Sequence, residues 1–280
     1  MPPSDLKPPL RSSVFSRNLM LKTVHLLSKG KGGYSPLRVD SPLRGFSPFQ
    51  GFSPFRLRVY LVGGALRNLY LSRPLPLDLD FVLEEAKPPK GAKPPKGAKP
   101  PFGDGINGFP NALAKRLGGS AFVLDKETQA ARVIIKKGRG SYTLDFSPMA
   151  GRDIISDLKK RDFTVNATAV ELATVFEGAE IKVIDPCGGL NDAKNKILRA
   201  TNKRVFQEDP LRCLRAVRLS RQYGLTISPD TLTLLKSSAH LLKNTSVERI
   251  RDELLRIFSC PCAAEGLKDV FKTGIADAAL

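Results

Sequence analysis

One seven-residue stretch, LDLDFVL at residues 77–83, constrains the fold of this chain more than any other. Successive side chains of a β-strand point to opposite faces, so the alternation predicts a strand that carries Asp78 and Asp80 on one face. The apolar residues beside them should face a core: Leu77, Leu79 and Phe81. Two carboxylates on one face repel each other, and a divalent cation such as Mg²⁺ would remove that repulsion. The alternative is a solvated edge strand without a metal.

The residues before this strand predict an anion site. Arg58–Val62 is β-branched and aromatic, as strands are, and Ala65–Leu71 has helical spacing. Gly63 and Gly64 lie between them, and glycines let backbone N–H groups approach a phosphate at a helix N-terminus. A plain tight turn is the alternative. An anion site so close to a metal site indicates chemistry on a nucleoside triphosphate.

The segment Gly63–Arg67, followed by Asp78-x-Asp80, resembles the signature of the tRNA nucleotidyltransferase/poly(A) polymerase family. These are the bacterial-type (class II) CCA-adding enzymes of the polymerase-β superfamily. The resemblance implies an α/β fold: a nucleotidyltransferase head with a mixed β-sheet and flanking helices, followed by an all-α neck. It also implies that the two aspartates are catalytic metal ligands, and that Gly63, Gly64 and Arg67 contact the nucleotide.

A third acid is a candidate for the same site. Residues 141–146 have the composition of a strand, and period two could place Asp145 on the sheet face of the first two carboxylates. The family resemblance implies a third metal ligand there, whereas an ordinary surface position is the alternative.

Residues 157–167, DLKKRDFTVNA, closely resemble the second motif of the family. We predict a helix over residues 154–170, in which Asp157 and Arg161 form an i, i+4 pair. The resemblance assigns Arg161 and Asp162 to nucleotide and sugar contacts, with Asn166 supporting the site.

A third motif begins with Glu208 and Asp209. The sequence predicts a helix that starts at Pro210 and is capped by Asp209. An apolar stripe along it consists of Leu211, Leu214 and Val217. Beside the stripe, arginines recur at every third residue: Arg212, Arg215 and Arg218. An amphipathic helix alone would explain this pattern. The resemblance implies more.

In the family, the acid and the first arginine of this motif read the base edge of the incoming nucleotide, which suits a carboxylate and a planar guanidinium. These are Asp209 and Arg212 here, and Arg215 and Arg218 would then hold the triphosphate. Residues 248–254, ERIRDEL, resemble a further family motif, whose expected role is to steady the nucleotide-reading helix by salt-bridged packing.

Composition and the resemblance together predict the domain organisation. Residues 1–55 are rich in Pro, Ser, Gly, Lys and Arg, which predicts a disordered basic arm, with a transit peptide as the alternative. Residues 87–101 repeat Lys, Pro, Gly and Ala and predict an extended surface loop. The head is expected over 56–185 and the neck over 186–258. Residues 259–280 end the chain, so the body and tail regions of the family are expected to be absent.

The formal charge of +18 predicts a polyanionic partner, because neutralising phosphates releases counterions. The spacing of the four cysteines and two histidines predicts no zinc site and no disulfide, which fits the cytoplasm. No apolar run approaches the length of a membrane span.

The predicted reaction is template-independent addition of CTP- and ATP-derived nucleotides to the 3′ end of tRNA, by two-metal-ion catalysis in which Asp78 and Asp80 hold two Mg²⁺ ions. Poly(A) addition to other RNA 3′ ends, or a non-catalytic RNA-binding remnant, are the alternatives.

Overall fold

The computed structural model describes residues 57–85, 108–137, 140–172 and 182–279. The predicted arm at 1–55 and the predicted insertion at 87–101 lie outside these ranges. The chain forms two compact units that interleave along the sequence. Of the described residues, the first comprises 57–65, 74–85, 108–137, 140–149, 170–172 and 182–183, and the second comprises 66–73, 150–169 and 184–279. The predicted head over 56–185 and neck over 186–258 stay predictions.

A seven-stranded sheet has the order β3-β4-β5-β2-β1-β6-β7. Strand β2 is antiparallel to β1 and parallel to β5, so the sheet is mixed, as predicted. The bounds of the strands are β1 Leu57–Val62, β2 Asp78–Glu85, β3 Ser120–Asp125, β4 Ala130–Lys137, β5 Gly140–Pro148, β6 Ala169–Glu171 and β7 Val183–Ile184.

The apolar face of β2 belongs to the core of the first unit. Leu79, Phe81 and Leu83 are buried, and the Phe81 ring stacks on Phe146 of β5 at 5.0 Å between centroids. Phe109, from helix α2 (Gly108–Leu117), packs edge-on against Phe146 at 5.5 Å. Leu77 was expected in this core, but it precedes the first residue of the strand and its side chain is 57% exposed.

Most of the remaining helices belong to the second unit. Their bounds are α1 Gly64–Tyr70, which runs out of the first unit, α3 Ile154–Lys159, α4 Gly189–Lys194, α5 Val205–Glu208, α6 Arg212–Tyr223, α7 Pro229–Ser238, α8 Val247–Phe258, α9 Ala263–Lys272 and α10 Ala276–Ala279. Two 3₁₀ turns, Thr164–Asn166 and Ala239–Asn244, and a two-stranded ladder of β8 (Ile197–Leu198) and β9 (Thr226–Ile227) complete the unit. The ladder is the one departure from an all-helical neck within the described residues.

The helix predicted over residues 154–170 was wrong in its extent. Helix α3 ends at Lys159, and Phe163 then pairs with Ala200 in an isolated β-bridge. The Thr164 N–H donates to the carbonyl of Arg199 at 2.9 Å, so the backbone bonds across to another segment instead of continuing the helix. Tertiary pairing therefore overrides the helical spacing here.

The stripe predicted for α6 is confirmed. Leu211, Leu214 and Val217 are buried in the core of the second unit. The helix begins at Arg212, two residues later than predicted, and Asp209 accepts the N–H of Leu211 at 3.3 Å. Within the described ranges, no helix has both the length and the apolar character that crossing a bilayer would require.

Candidate active-site residues

The first unit presents a carboxylate face, formed by Asp78 and Asp80 of β2 with Asp145 of β5. The two β2 aspartates are exposed and alternate with buried Leu79 and Phe81, so they project on the same side of the sheet, as predicted. Asp145 is the register partner of Asp80 in the parallel β2–β5 pair. The strand register therefore brings Asp145 beside Asp80. It lies on the sheet face that the alternation of side chains in β5 predicts.

The Asp145 carboxylate is held by an arginine that the sequence analysis did not single out. Arg132 of β4 donates from Nε to Oδ1 at 2.7 Å and from Nη2 to Oδ2 at 2.8 Å, in a bidentate fork. These hydrogen bonds, and secondly the charges of Asp145, Asp78 and Asp80, raise the pKa of Arg132. The signal in the sequence was a lone charge inside the apolar run of β4.

The donor chemistry of this face fits a divalent cation. Two solvent-exposed carboxylates from one strand supply the hard oxygen ligands that Mg²⁺ and related ions prefer. Among the described residues, no three His, Cys, Asp or Glu side chains are grouped closely enough to hold a metal ion by themselves. The protein would therefore contribute the carboxylates of Asp78 and Asp80, with water or phosphate oxygens completing the coordination.

The turn between β1 and α1 contains the predicted glycine pair. Gly63 has φ of 73°, a left-handed conformation that favours glycine, and Gly64 is the first residue of the helix. The strand, double glycine and helix occur in the predicted order. Their contact with phosphate stays a prediction.

Arg67 is buried among polar neighbours of the second unit. Its exposure is 7%, and burial lowers its pKa, as does the nearby charge of Arg218. It donates to Asn166 Oδ1 at 2.7 Å and to the hydroxyl of Tyr223 at 2.6 Å. Its contact with a nucleotide stays a prediction.

Asn166 extends this network to Asp162. Its Nδ2 donates to Asp162 Oδ1 at 3.0 Å, which also accepts the N–H of Phe163 at 2.8 Å. Asp162 Oδ2 lies 2.8 Å from Nη2 of Arg215. Burial alone would raise the pKa of Asp162, but the charge of Arg215 and the hydrogen bonds outweigh burial and lower it. The carboxylate is held ionised inside the second unit.

We call this connected set the arginine network; it links motifs that are distant in the sequence. Its members are Arg67, Asp162, Asn166, Arg215 and Tyr223. All of them except Tyr223 belong to the sequence motifs described above. The guanidinium carbon of Arg67 also lies 4.0 Å from the centre of the Tyr223 ring. An aromatic residue at the last position of an amphipathic helix gave no signal by itself.

The other predicted nucleotide ligands have local partners. Arg161 contacts Asp157 at 3.2 Å, confirming the i, i+4 pair across the end of α3. Arg212 donates to the carbonyls of Val205 and Lys160 at 3.2 and 3.3 Å. Their roles toward a nucleotide remain predictions.

The ERIRDEL segment on α8 contacts two of the predicted nucleotide ligands, and its expected steadying role is visible in the ion pairs. Glu253 is buried and accepts from Arg218 Nε at 2.6 Å. Arg249 lies 3.1 Å from Asp209, the residue predicted to read the base. These contacts join α8 to Asp209, which precedes α6, and to Arg218 within α6.

Comparisons with known proteins agree with the motifs and the fold. Residues 106–199 match the family described as the poly A polymerase head domain, and residues 224–280 match a probable RNA and SrmB-binding site of polymerase A. The CC-adding tRNA nucleotidyltransferase of Geobacter sulfurreducens is 38% identical over 204 residues, which are 73% of this chain and 41% of that protein.

The A-adding tRNA nucleotidyltransferase of Deinococcus radiodurans is 34% identical over 225 residues, which are 79% of this chain and 44% of that protein. A solved structure of a tRNA-processing enzyme with CTP superposes with a TM-score of 0.64 at 29% identity, over 80% of this chain and 55% of that one. The chain thus spans less than half the length of these two relatives. By its motifs, its fold and these matches, the chain belongs to the tRNA nucleotidyltransferase/poly(A) polymerase family.

Proposed function

We propose that this chain is a template-independent RNA nucleotidyltransferase that adds CTP- and ATP-derived nucleotides to the 3′ end of tRNA. The observation that carries the proposal is the exposure of Asp78 and Asp80 on one face of β2, shortly after the glycine turn at Gly63. Nucleotidyl transfer needs oxygen ligands for a cation, and two solvent-exposed carboxylates on one strand face can supply them.

The family uses divalent metal ions generally, and we propose two Mg²⁺ ions. When bound, one would supply Lewis-acid activation of the attacking 3′-hydroxyl and the other would stabilise charge on the leaving pyrophosphate oxygen. Asp78 and Asp80 would hold both ions, and Asp145 lies beside them. The backbone at Gly63 and Gly64 would approach the phosphates of the nucleotide.

The family resemblance also implies roles toward the nucleotide for the family-motif positions at 161–166 and 209–218 of this sequence. Arg161, Arg215 and Arg218 would contact the triphosphate and offset its negative charge. Asp162 and Asn166 would contact or position the sugar, and Asp209 and Arg212 would hydrogen-bond the base edge. Arg67 would contact the nucleotide, as the family resemblance implies, and its hydrogen bond to Asn166 would also position that residue.

Replacing the two aspartates separately tests the proposal. Asp78→Asn and Asp80→Asn should each slow incorporation of CTP and ATP into tRNA by about a hundredfold to a thousandfold, the cost of losing a group that stabilises transition-state charge. Because both side chains are exposed, the folded structure should persist by circular dichroism. Glu127→Gln, in the exposed β3–β4 turn, is the matched control. An Asp78→Asn protein that extended RNA at the wild-type rate would refute the assignment.

Two alternatives give different results in the same assay. The relatives named above include a CC-adding and an A-adding protein, so likeness alone leaves the nucleotide choice open. Poly(A) addition would show as repeated ATP incorporation into an unstructured RNA. A non-catalytic remnant would bind RNA and yield no product with any RNA or nucleotide.

The cytoplasm is the proposed location. All four cysteines of the chain are free thiols, which fits a reducing compartment.

A further inference from the structure

The pair formed by Arg132 and Asp145 lies at the edge of the carboxylate face. The two residues are register partners on β4 and β5, and Asp145 is in turn the register partner of Asp80 on β2. Arg132, Asp145 and Asp80 thus lie side by side on the neighbouring strands β4, β5 and β2. No part of the proposed reaction assigns a role to Arg132.

Both oxygens of the Asp145 carboxylate accept hydrogen bonds from Arg132. Each Asp145 oxygen accepts one guanidinium N–H, at 2.7 and 2.8 Å, which is the bidentate geometry that fixes a carboxylate in place. Both partners keep contact with solvent, with side chains 40% and 28% exposed. The pair is therefore at the surface, where its charges act on an approaching ion through partly screened interactions.

Arg132 also interacts with the other two acids. Besides its hydrogen bonds to Asp145, the charges of Asp78 and Asp80 contribute to raising its pKa. Three carboxylates in neighbouring positions would repel one another, and a fixed guanidinium offsets part of that repulsion in the absence of metal. The same guanidinium also lowers the attraction of the face for cations.

We propose that Arg132 holds Asp145 out of the metal-ligand set and serves as a built-in cation on the carboxylate face, so that a divalent ion is bound by Asp78 and Asp80 alone. The inference rests on the proposed function, because it concerns the same metal site. It makes Arg132 a positioning residue that sets how many carboxylates the site offers. It also predicts that wild-type affinity for a free divalent ion is held below what three acids would provide.

Mn²⁺ binding to the full, nucleotide-free chain tests this by isothermal titration calorimetry. Arg132→Gln should bind Mn²⁺ about tenfold more tightly or better, since it removes one positive charge and releases Asp145. Asp145→Asn should bind more weakly than the wild type, because it leaves the arginine charge uncompensated. The double variant removes both charges and should return close to the wild-type affinity.

Arg132→Lys separates charge from geometry. Lysine keeps the cation but lacks the fork that holds Asp145, so its Mn²⁺ affinity should lie between those of the wild type and Arg132→Gln. The thermal unfolding midpoint of each metal-free variant is measured in parallel. A purely structural arginine would lower that midpoint and leave Mn²⁺ affinity unchanged, and that result would overturn the proposal.

Two further outcomes bear on it. If the double variant binds Mn²⁺ as tightly as Arg132→Gln, Asp145 is not the ligand that is released and the proposal is overturned. The variants Asp78→Asn and Asp80→Asn test the metal site itself. If they bind Mn²⁺ as well as the wild type, the metal site of the proposed function is wrong, whatever Arg132 does.

Discussion

Arg215 Nη2 lies 2.8 Å from Oδ2 of Asp162, so this ion pair joins helix α6 to residues 162–164 inside the second unit. The carboxylate is buried, whereas the guanidinium is about one-third exposed. Asp162 also accepts hydrogen bonds from Asn166 and from the backbone of Phe163. One carboxylate therefore fixes three separate groups, which makes it the centre of the arginine network.

Asp162→Asn should lower the free energy of unfolding by about 2 kcal/mol at pH 7, because it removes charge-assisted hydrogen bonds at a buried site. Urea denaturation measures the effect. Asp252→Asn, an exposed acid on α8, is the control and should be nearly neutral. A loss equal to that of the control would mean that the ion pair contributes no net stability.

The same variant should have a different pH dependence. The pKa of Asp162 is lowered in the folded state, so its contribution is complete above the unfolded value of about 4 and is lost as the pH falls through the lower folded value. Stability curves from pH 7 to pH 3 should thus keep a constant gap between the wild type and Asp162→Asn above about pH 4, and the gap should narrow as the pH falls below it. A constant gap over the whole of this pH range would contradict the assignment.

Tyr223→Phe removes the acceptor that Arg67 Nη2 uses at 2.6 Å. Since Nη2 keeps its hydrogen bond to Asn68, we expect a loss of about 1 kcal/mol in the free energy of unfolding. Tyr142→Phe, on half-buried β5, is the matched control. Equal losses in the two variants would show that the Tyr223 hydroxyl has no special role.

Arg249→Gln should change nucleotide choice more than stability. Its ion pair with Asp209 joins side chains that are 54% and 27% exposed, and pairs of this kind contribute about 0–1 kcal/mol. If Asp209 reads the base, freeing it from Arg249 should alter the ratio of kcat/KM for CTP and ATP. Arg251→Gln, which loses a pair with Asp252 on the same helix, should leave this ratio unchanged.

Gly189 and Gly188 should respond differently to alanine. A Cβ at Gly189 would meet the Thr164 carbonyl oxygen at 2.0 Å, so backbone must shift and we expect a loss of about 3 kcal/mol or more. A Cβ at Gly188 meets nothing within 4 Å, and its φ of 72° should cost only about 1–2 kcal/mol. Equal unfolding free energies for the two variants would contradict this view of the α4 start.

The sequence by itself determined those features that depend on local periodicity. Alternation in residues 77–83 was enough to place Asp78 and Asp80 on one strand face, because side-chain direction in a strand depends only on parity. The glycine pair and the arginine-bearing helix followed from local conformational preferences in the same way. Parity also put Asp145 on the correct face once its strand pairs with β2.

Which charged side chains pair with one another depends on the packed chain. Arg132 and Asp145 are thirteen residues apart, and Arg67 and Tyr223 are separated by 156, so no spacing rule could pair them. The helix predicted through Asn166 failed for the same reason, since the pairing of Phe163 with Ala200 takes backbone hydrogen bonds that a helix would need. Burial and pairing are properties of the packed chain, and they decide whether an arginine faces a ligand or holds its neighbours in place.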